Sequence, residues 1–274
     1  MSSNGSSKAA IGIVGDGHLA RLVAIAARRM HHATVAIPPE RLDGLLAGRE
    51  SPALSRIVDG IDGVIVATER CAAAALHLLE RRVKVVPSPA IVSIAQDRQR
   101  ERAWLDEHGI PSLAWRVVNS SDQLLEALQD LGGEGFLKPA RRLEESGRPT
   151  YVRRPEQALG ALAALGAVPS VLEEAGSIQL ALGVVVARAA TGQVVVYPPA
   201  LHQRQGTELR WSVMPAPLAP EVSSRAEALA RRVAELLPLV GVATVELFVL
   251  AGGQLVVNEV APVVVVVSVA PAGQ

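Results

Sequence analysis

The chain predicts two joined architectures: a doubly wound α/β unit with a parallel sheet and, after it, a larger α+β unit. Three features carry that expectation. Short apolar runs alternate with amphipathic helical stretches through residues 10–86, as in parallel strands linked by crossover helices. Pro87-Ser88-Pro89 interrupts this pattern, and beyond it strands and helices no longer alternate simply. Near the end two apolar runs, 245–250 and 255–260, flank Ala251-Gly252-Gly253-Gln254, which reads as a hairpin with Gly252-Gly253 as its two-residue loop.

The first strand, 10–14, runs into Gly15-Asp16-Gly17-His18-Leu19-Ala20, where glycines permit a tight turn into a helix reaching about Met30. Strands at 33–37 and 63–67, a helix at 71–82 and a strand at 83–86 complete a unit spanning 1–90. The second unit, 91–274, opens with one charged helix over 91–107, closed by His108-Gly109-Ile110-Pro111. A strand at 114–118 precedes Ser120-Ser121-Asp122, which caps a helix through Leu131. Strand Gly135-Phe136-Leu137-Lys138, the polar loop 140–149, strands at 170–173, 180–189 and 194–197, and a helix at 223–237 lead to the hairpin.

Composition narrows the function. At 274 residues the chain buries roughly three quarters of its unfolded surface, in a core that is aliphatic because Phe, Tyr and Trp number 2, 2 and 3. Stacking platforms for single-stranded nucleic acid are therefore not expected. Lys plus Arg and Asp plus Glu are 27 each, so no global field draws nucleic acid or an acidic membrane, and the expected partner is a small-molecule substrate. A single cysteine, Cys71, excludes an intrachain disulfide, and no signal-peptide pattern or run of membrane-span length is evident, which points to the cytoplasm.

The hairpin is the most informative segment. Counting outward from its loop pairs Leu250 with Leu255, Phe248 with Val257 and Glu246 with Glu259. Directly opposed side chains lie about 5 Å apart at Cβ, and like charges there are destabilising unless something positive intervenes. Carboxylates with the amide of Asn258 beside them suit a hard cation such as Mg²⁺. Lys138 is one of only three lysines and ends an apolar strand, a placement that suits contact with phosphate. Glu173-Glu174 ends another strand, where backbone edge and carboxylate can bind a base. His202, Arg204, Arg210 and Ser212 form a polar stretch able to bind an anion, and His202 and Arg210 are the candidates for catalysis. Gly15-x-Gly17-x-x-Ala20 alone also admits a nicotinamide cofactor, although the acid that would bind its ribose, Glu40, comes late and after two prolines.

In the order Lys138, Glu173-Glu174, Glu246 and Asn258-Glu259, after a glycine-turn α/β unit, the chain resembles the ATP-grasp superfamily and, within it, the 5-(carboxyamino)imidazole ribonucleotide synthetases. The resemblance extends from Ile11 to Pro262 and is most specific at Asn258-Glu259-Val260-Ala261-Pro262. It implies a Rossmann-like first domain and an ATP-grasp domain of two lobes, the smaller at about 108–170. It also implies ATP and Mg²⁺, activation of bicarbonate as carboxyphosphate, attack by an amine, and a homodimer. Lys138 would match the lysine on the nucleotide phosphates, Glu173 and Glu174 the adenine-side hinge, and Glu246 and Glu259 the metal ligands. The turn Gly15, Gly17, His18, Leu19 would face the acceptor. Arg102 stands where the family has a second lysine, and Ala181 where it has a ribose-binding acid. The glycine-rich flap is reduced to 141–148. Val263-Val264-Val265-Val266-Val267 replaces an arginine and the His-Asn-Ser-Gly-His segment, and the family's final small domain has no expected counterpart. Negligible carboxylation of aminoimidazole ribonucleotide follows, because valines offer no group to steady developing charge. A ligase with another acceptor, and a relative that binds nucleotide or a partner without turnover, are the two resulting expectations; the nicotinamide enzyme is the third.

Overall fold

A computed structural model describes residues 10–142, 148–205 and 208–262. The first unit comprises β1 (Ala10–Val14), α1 (His18–Arg29), β2 (Ala33–Ile37), α2 (Glu40–Leu46), α3 (Pro52–Asp59), β3 (Gly63–Val66), α4 (Ala73–Glu80) and β4 (Lys84–Val86). Its four strands are all parallel in the order β2-β1-β3-β4. Helices α2 and α3 were not anticipated, although Leu42, Leu45 and Leu46 and then Leu54, Ile57, Val58 and Ile61 recur at helical spacing; Leu42, Leu54 and Val58 bury.

The charged helix expected over 91–107 is two helices, α5 (Pro89–Ala95) and α6 (Arg98–Glu107). The break has a local cause. Asp97 caps α6 by accepting from the amides of Gln99 and Arg100 at 3.0 and 3.2 Å, satisfying donors that a new helix start exposes. Gln96 turns toward the segment before α4, its Nε2 donating to Cys71 O at 2.7 Å and Glu69 O at 3.1 Å.

A small antiparallel sheet follows, built from β5 (Trp115–Val118), β6 (Gly135–Pro139), β7 (Thr150–Val152) and β8 (Ser170–Glu174) in the order β5-β8-β6-β7. It is covered by α7 (Ser121–Asp130) and α8 (Ala158–Ala164), and the Ser120 hydroxyl caps α7 as expected. The last unit contains β9 (Ile178–Arg188), β10 (Val194–Val196), β11 (Ala200–Gln205), β12 (Glu208–Val213), α9 (Pro220–Leu236), β13 (Gly241–Leu250) and β14 (Leu255–Ala261). Its sheet runs β12-β11-β9-β13-β14, with β10 also on β9. Helix α9 presents Ala226, Ala230, Val233 and Ala234 to it, a buried stripe at helical spacing.

Two cores result. One joins the first unit to the large sheet, running from Val14, Leu54 and Leu76 to Leu182, Val245 and Val257. The other, with Val118, Leu124, Leu137 and Leu172, belongs to the small sheet alone.

Two readings of local structure are corrected. The polar stretch around His202, to which no strand was assigned, forms the β11–β12 hairpin. The acidic hairpin turns through three residues, Ala251 to Gly253, with Leu250 N–H donating to Gln254 O and Gly253 at a positive φ of 73°. That geometry suits a turn followed by a left-handed glycine. Val249 therefore faces Leu255 and Leu247 faces Val257, one residue off the simple count, until a bulge at Asn258 restores the register and sets Glu246 opposite Glu259. The valine run 263–267 lies outside the described residues, as do residues 143–147 of the polar loop.

Candidate functional site

The bulge at Asn258 aims its amide across the hairpin, where Nδ2 donates to Glu246 Oε2 at 3.2 Å. Glu246 and Asn258 are buried and Glu259 is half-buried. The positive charge that two opposed acids require is present as arginine. Arg204 Nη2 lies 2.8 Å from Glu246 Oε2, and Arg142 Nη2 lies 3.3 Å from Glu259 Oε2. The two acids titrate apart. Burial and then the neighbouring Glu259 push Glu246 up to about 7. Burial works in the same direction on Glu259, but Arg142 and Arg98 outweigh it and hold its carboxyl below the usual range.

Both carboxylates and the intervening amide are hard donors of the kind that Mg²⁺ takes. Among the described residues no cluster of three or more His, Cys, Asp or Glu side chains stands ready to hold a metal alone. The donor set thus fits an ion that completes its shell with ligands from outside the protein.

Lys138, on β6, is drawn into the same cluster. Its Nζ lies 2.6 Å from Glu173 Oε2, while Arg102 Nε and Nη2 donate to Glu173 Oε1 at 3.0 and 2.9 Å. Arg102 continues to Asn258 O and, at 3.4 Å, to Val257 O. A continuous path Lys138–Glu173–Arg102–Asn258 therefore links the small sheet to the acidic hairpin. Burial would raise the Glu173 carboxyl, but Lys138 and Arg102 overcome this and hold it at about 2. Burial also lowers the Lys138 ammonium, with Glu173 opposing. Glu173 is 1% exposed and committed to these cations. Glu174 accepts from Ala114 N–H at 3.1 Å at the start of β5.

His202 lies on the face of β11 that looks toward Glu246. Its Nδ1 is 2.6 Å from Ser212 Oγ, and its ring sits over Gly183, where a Cβ would meet Nε2 at 2.2 Å. Only glycine permits that approach. Burial, then Arg204, lowers the imidazole pKa. Arg210 is exposed on edge strand β12, two residues from Ser212.

Gly17 caps α1, with His18 as the first helical residue; Gly15 is buried and Leu19 half-buried. The turn joins the cluster through its neighbours. Asp16 pairs with Arg70, and Thr68 and Glu69 line one pocket with Gln96, Arg142, Glu259 and Pro262. Glu69 is raised by burial and then by Glu259. Glu40 is exposed at the start of α2 rather than ending β2.

Arg98, Glu101 and Arg142 were not foreseen as part of the site. Glu101 accepts from Arg142 Nη2 at 2.6 Å and from Val260 N–H at 2.7 Å. A signal existed: residues 98, 101, 102 and 105 share the helix face on which Leu105 is buried, so charges there face the core.

Comparison with known proteins follows the same outline. Residues 103–264 match the ATP-grasp domain, and residues 8–96 match the ribonucleotide synthetase preATP-grasp domain. N5-carboxyaminoimidazole ribonucleotide synthase of Brucella melitensis is 32% identical, covering 92% of this chain and 73% of that protein. The Bacillus subtilis synthase is 27% identical over 93% of this chain and 69% of its own length. The synthetase structure from Thermus thermophilus has a TM-score of 0.81 at 32% identity, covering 93% of this chain and 71% of that one. An ADP complex of the synthetase has a TM-score of 0.84 at 27% identity, covering 93% and 70%.

Proposed function

The chain belongs to the ATP-grasp family, and we propose that it is an ATP-dependent carboxylate–amine ligase with Mg²⁺ as its cofactor. In the reaction the terminal phosphoryl group of ATP passes to a carboxylate or bicarbonate oxygen, leaving ADP and an acyl or carboxyphosphate. The amine attacks the activated carbon, phosphate departs with the bonding pair, and the nitrogen gives up a proton. The observation that carries this reading is the convergence of Lys138 from one sheet and Glu246, Asn258 and Glu259 from another on a single charged cluster.

Lys138 supplies a compact positive charge to the transferring phosphate. Glu246 and Glu259 hold the divalent ion, which, when bound, neutralises charge building on the phosphate oxygens. Glu173 and Arg102 position Lys138 rather than touch the reacting atoms. The acceptor belongs beside Thr68, Glu69 and Gln96, on the side of the glycine turn.

Assays of ADP release with bicarbonate and a panel of amines, read together with mass spectrometry of the products, test this. ADP release that depends on an amine, with a matching gain in mass, is expected. With aminoimidazole ribonucleotide we expect negligible turnover, because the residues after Pro262 are five valines without a polar side chain. Turnover of about one per second or faster would contradict that. The same valines favour a second reading, nucleotide binding without chemistry, which predicts no amine-dependent ADP release at all.

A further inference from the structure

The two guanidiniums on the acid pair are held very differently. Arg204 is one-third exposed, and its guanidinium is held by Glu246. Arg142 is fixed on three sides. Its Nη2 meets Glu101 Oε2 at 2.6 Å, its Nη1 donates to Ala95 O at 2.9 Å, and its backbone N–H donates to Gln96 O at 3.1 Å. Glu101 is itself pinned by Val260 N–H, next to Glu259, and is wholly buried. Arg142 cannot swing away from Glu259 without stranding a buried carboxylate, which is strongly unfavourable.

We propose that Arg142 is a resident counter-cation that decides in what form the site accepts a metal: a bare divalent ion is excluded, and the ion enters only together with nucleotide phosphates. The proposal rests on Glu246 and Glu259 being the metal ligands. A divalent ion at Glu259 would stand beside a guanidinium that cannot retreat, and like charges at that range repel strongly where water is scarce. A polyphosphate brings the negative charge that removes the excess. Arg142 would thus make metal and nucleotide bind as a unit, through a residue that neither the metal nor the chemistry requires.

The test is calorimetric titration with Mn²⁺, first without nucleotide and then with ADP, on the full chain. Arg142→Gln removes the counter-cation. Because that variant leaves Glu101 without its partner, the double variant Glu101→Gln/Arg142→Gln, which strands no buried charge, is measured beside it, with circular dichroism to check folding. We expect both variants to bind Mn²⁺ without nucleotide at least about tenfold more tightly than the wild type, and ADP to restore wild-type uptake. Adding Glu259→Gln to the double variant should abolish the gain. Equal Mn²⁺ affinity in the wild type and both variants without nucleotide would overturn the role of Arg142 and leave the metal ligands standing. No Mn²⁺ uptake by any of them, even with ADP, would overturn the metal assignment and this inference with it.

Discussion

The small sheet closes on a core of its own, whereas the sheet carrying Glu246 and Glu259 shares its core with the first unit. Apolar packing therefore makes the acidic hairpin part of a fixed platform, while Lys138 rides on a lobe whose own cohesion does not depend on that platform. Besides backbone hydrogen bonds such as Arg98 N–H to Ala140 O at 2.8 Å, charge joins the two: Arg102 between Glu173 and Asn258, and Arg142 between Glu101 and Glu259. Buried ion pairs add little net stability compared with apolar packing, yet are costly to break one-sidedly. The joint is thus specific in geometry, and sensitive to any change in charge.

The largest way to break this contrast is Glu173→Ala, which strands Arg102 and Lys138 together. Removing one partner of a buried pair costs about 3–5 kcal/mol, so denaturant unfolding should show a loss of that order. Hydrogen exchange should rise in β5 and β8 before β13 and β14; uniform exposure of both sheets would mean that the two lobes unfold as one.

Lys138→Ala removes the end of the joint that faces the ligand and leaves Glu173 paired with Arg102. Losing one side of a charge-assisted bond costs about 1–3 kcal/mol, so ATP affinity should fall while adenosine affinity holds. Equal weakening of both would place the lysine near the base.

The smallest effect is on the platform and is read through pH. Glu246 has a folded pKa of about 7 against a usual 4.5, so its contribution to stability is full below the unfolded value and is lost as pH rises through 7. Glu173, held at about 2, runs the opposite way: its contribution is present above 4.5 and lost as pH falls toward 2. Glu246→Gln should therefore flatten the decline in stability between pH 4.5 and about 7, a slope of at most about 1.4 kcal/mol per pH unit. An unchanged slope would show that another group titrates there.

Sequence patterning reached the hairpin acids by a path that only partly matches the structure. The three-residue turn shifts the strands by one, and the bulge at Asn258 shifts them back, so Glu246 meets Glu259 although Phe248 does not meet Val257. Neither irregularity has a distinct mark in an apolar run. The strand, glycine turn and helix of the first unit were legible because period and turn chemistry agree there. Arg98 and Glu101 were not, because a run such as Arg98-Gln99-Arg100-Glu101-Arg102 reads as a solvated face until a second lobe is seen to cover it, and Arg102 was reached only through the family resemblance. The β11–β12 hairpin was hidden for a related reason: polar residues dominate its strands, and His202 buries only because Gly183 makes room.

The most direct test of the account is calorimetry of ATP and ADP binding with and without Mg²⁺, in the wild type and in Glu259→Gln. If the acidic hairpin and Lys138 form one nucleotide site, Mg²⁺ should strengthen nucleotide binding to the wild type, raise its melting temperature by mass action, and do neither in the variant. Equal nucleotide affinity with and without Mg²⁺, in both proteins alike, would contradict it.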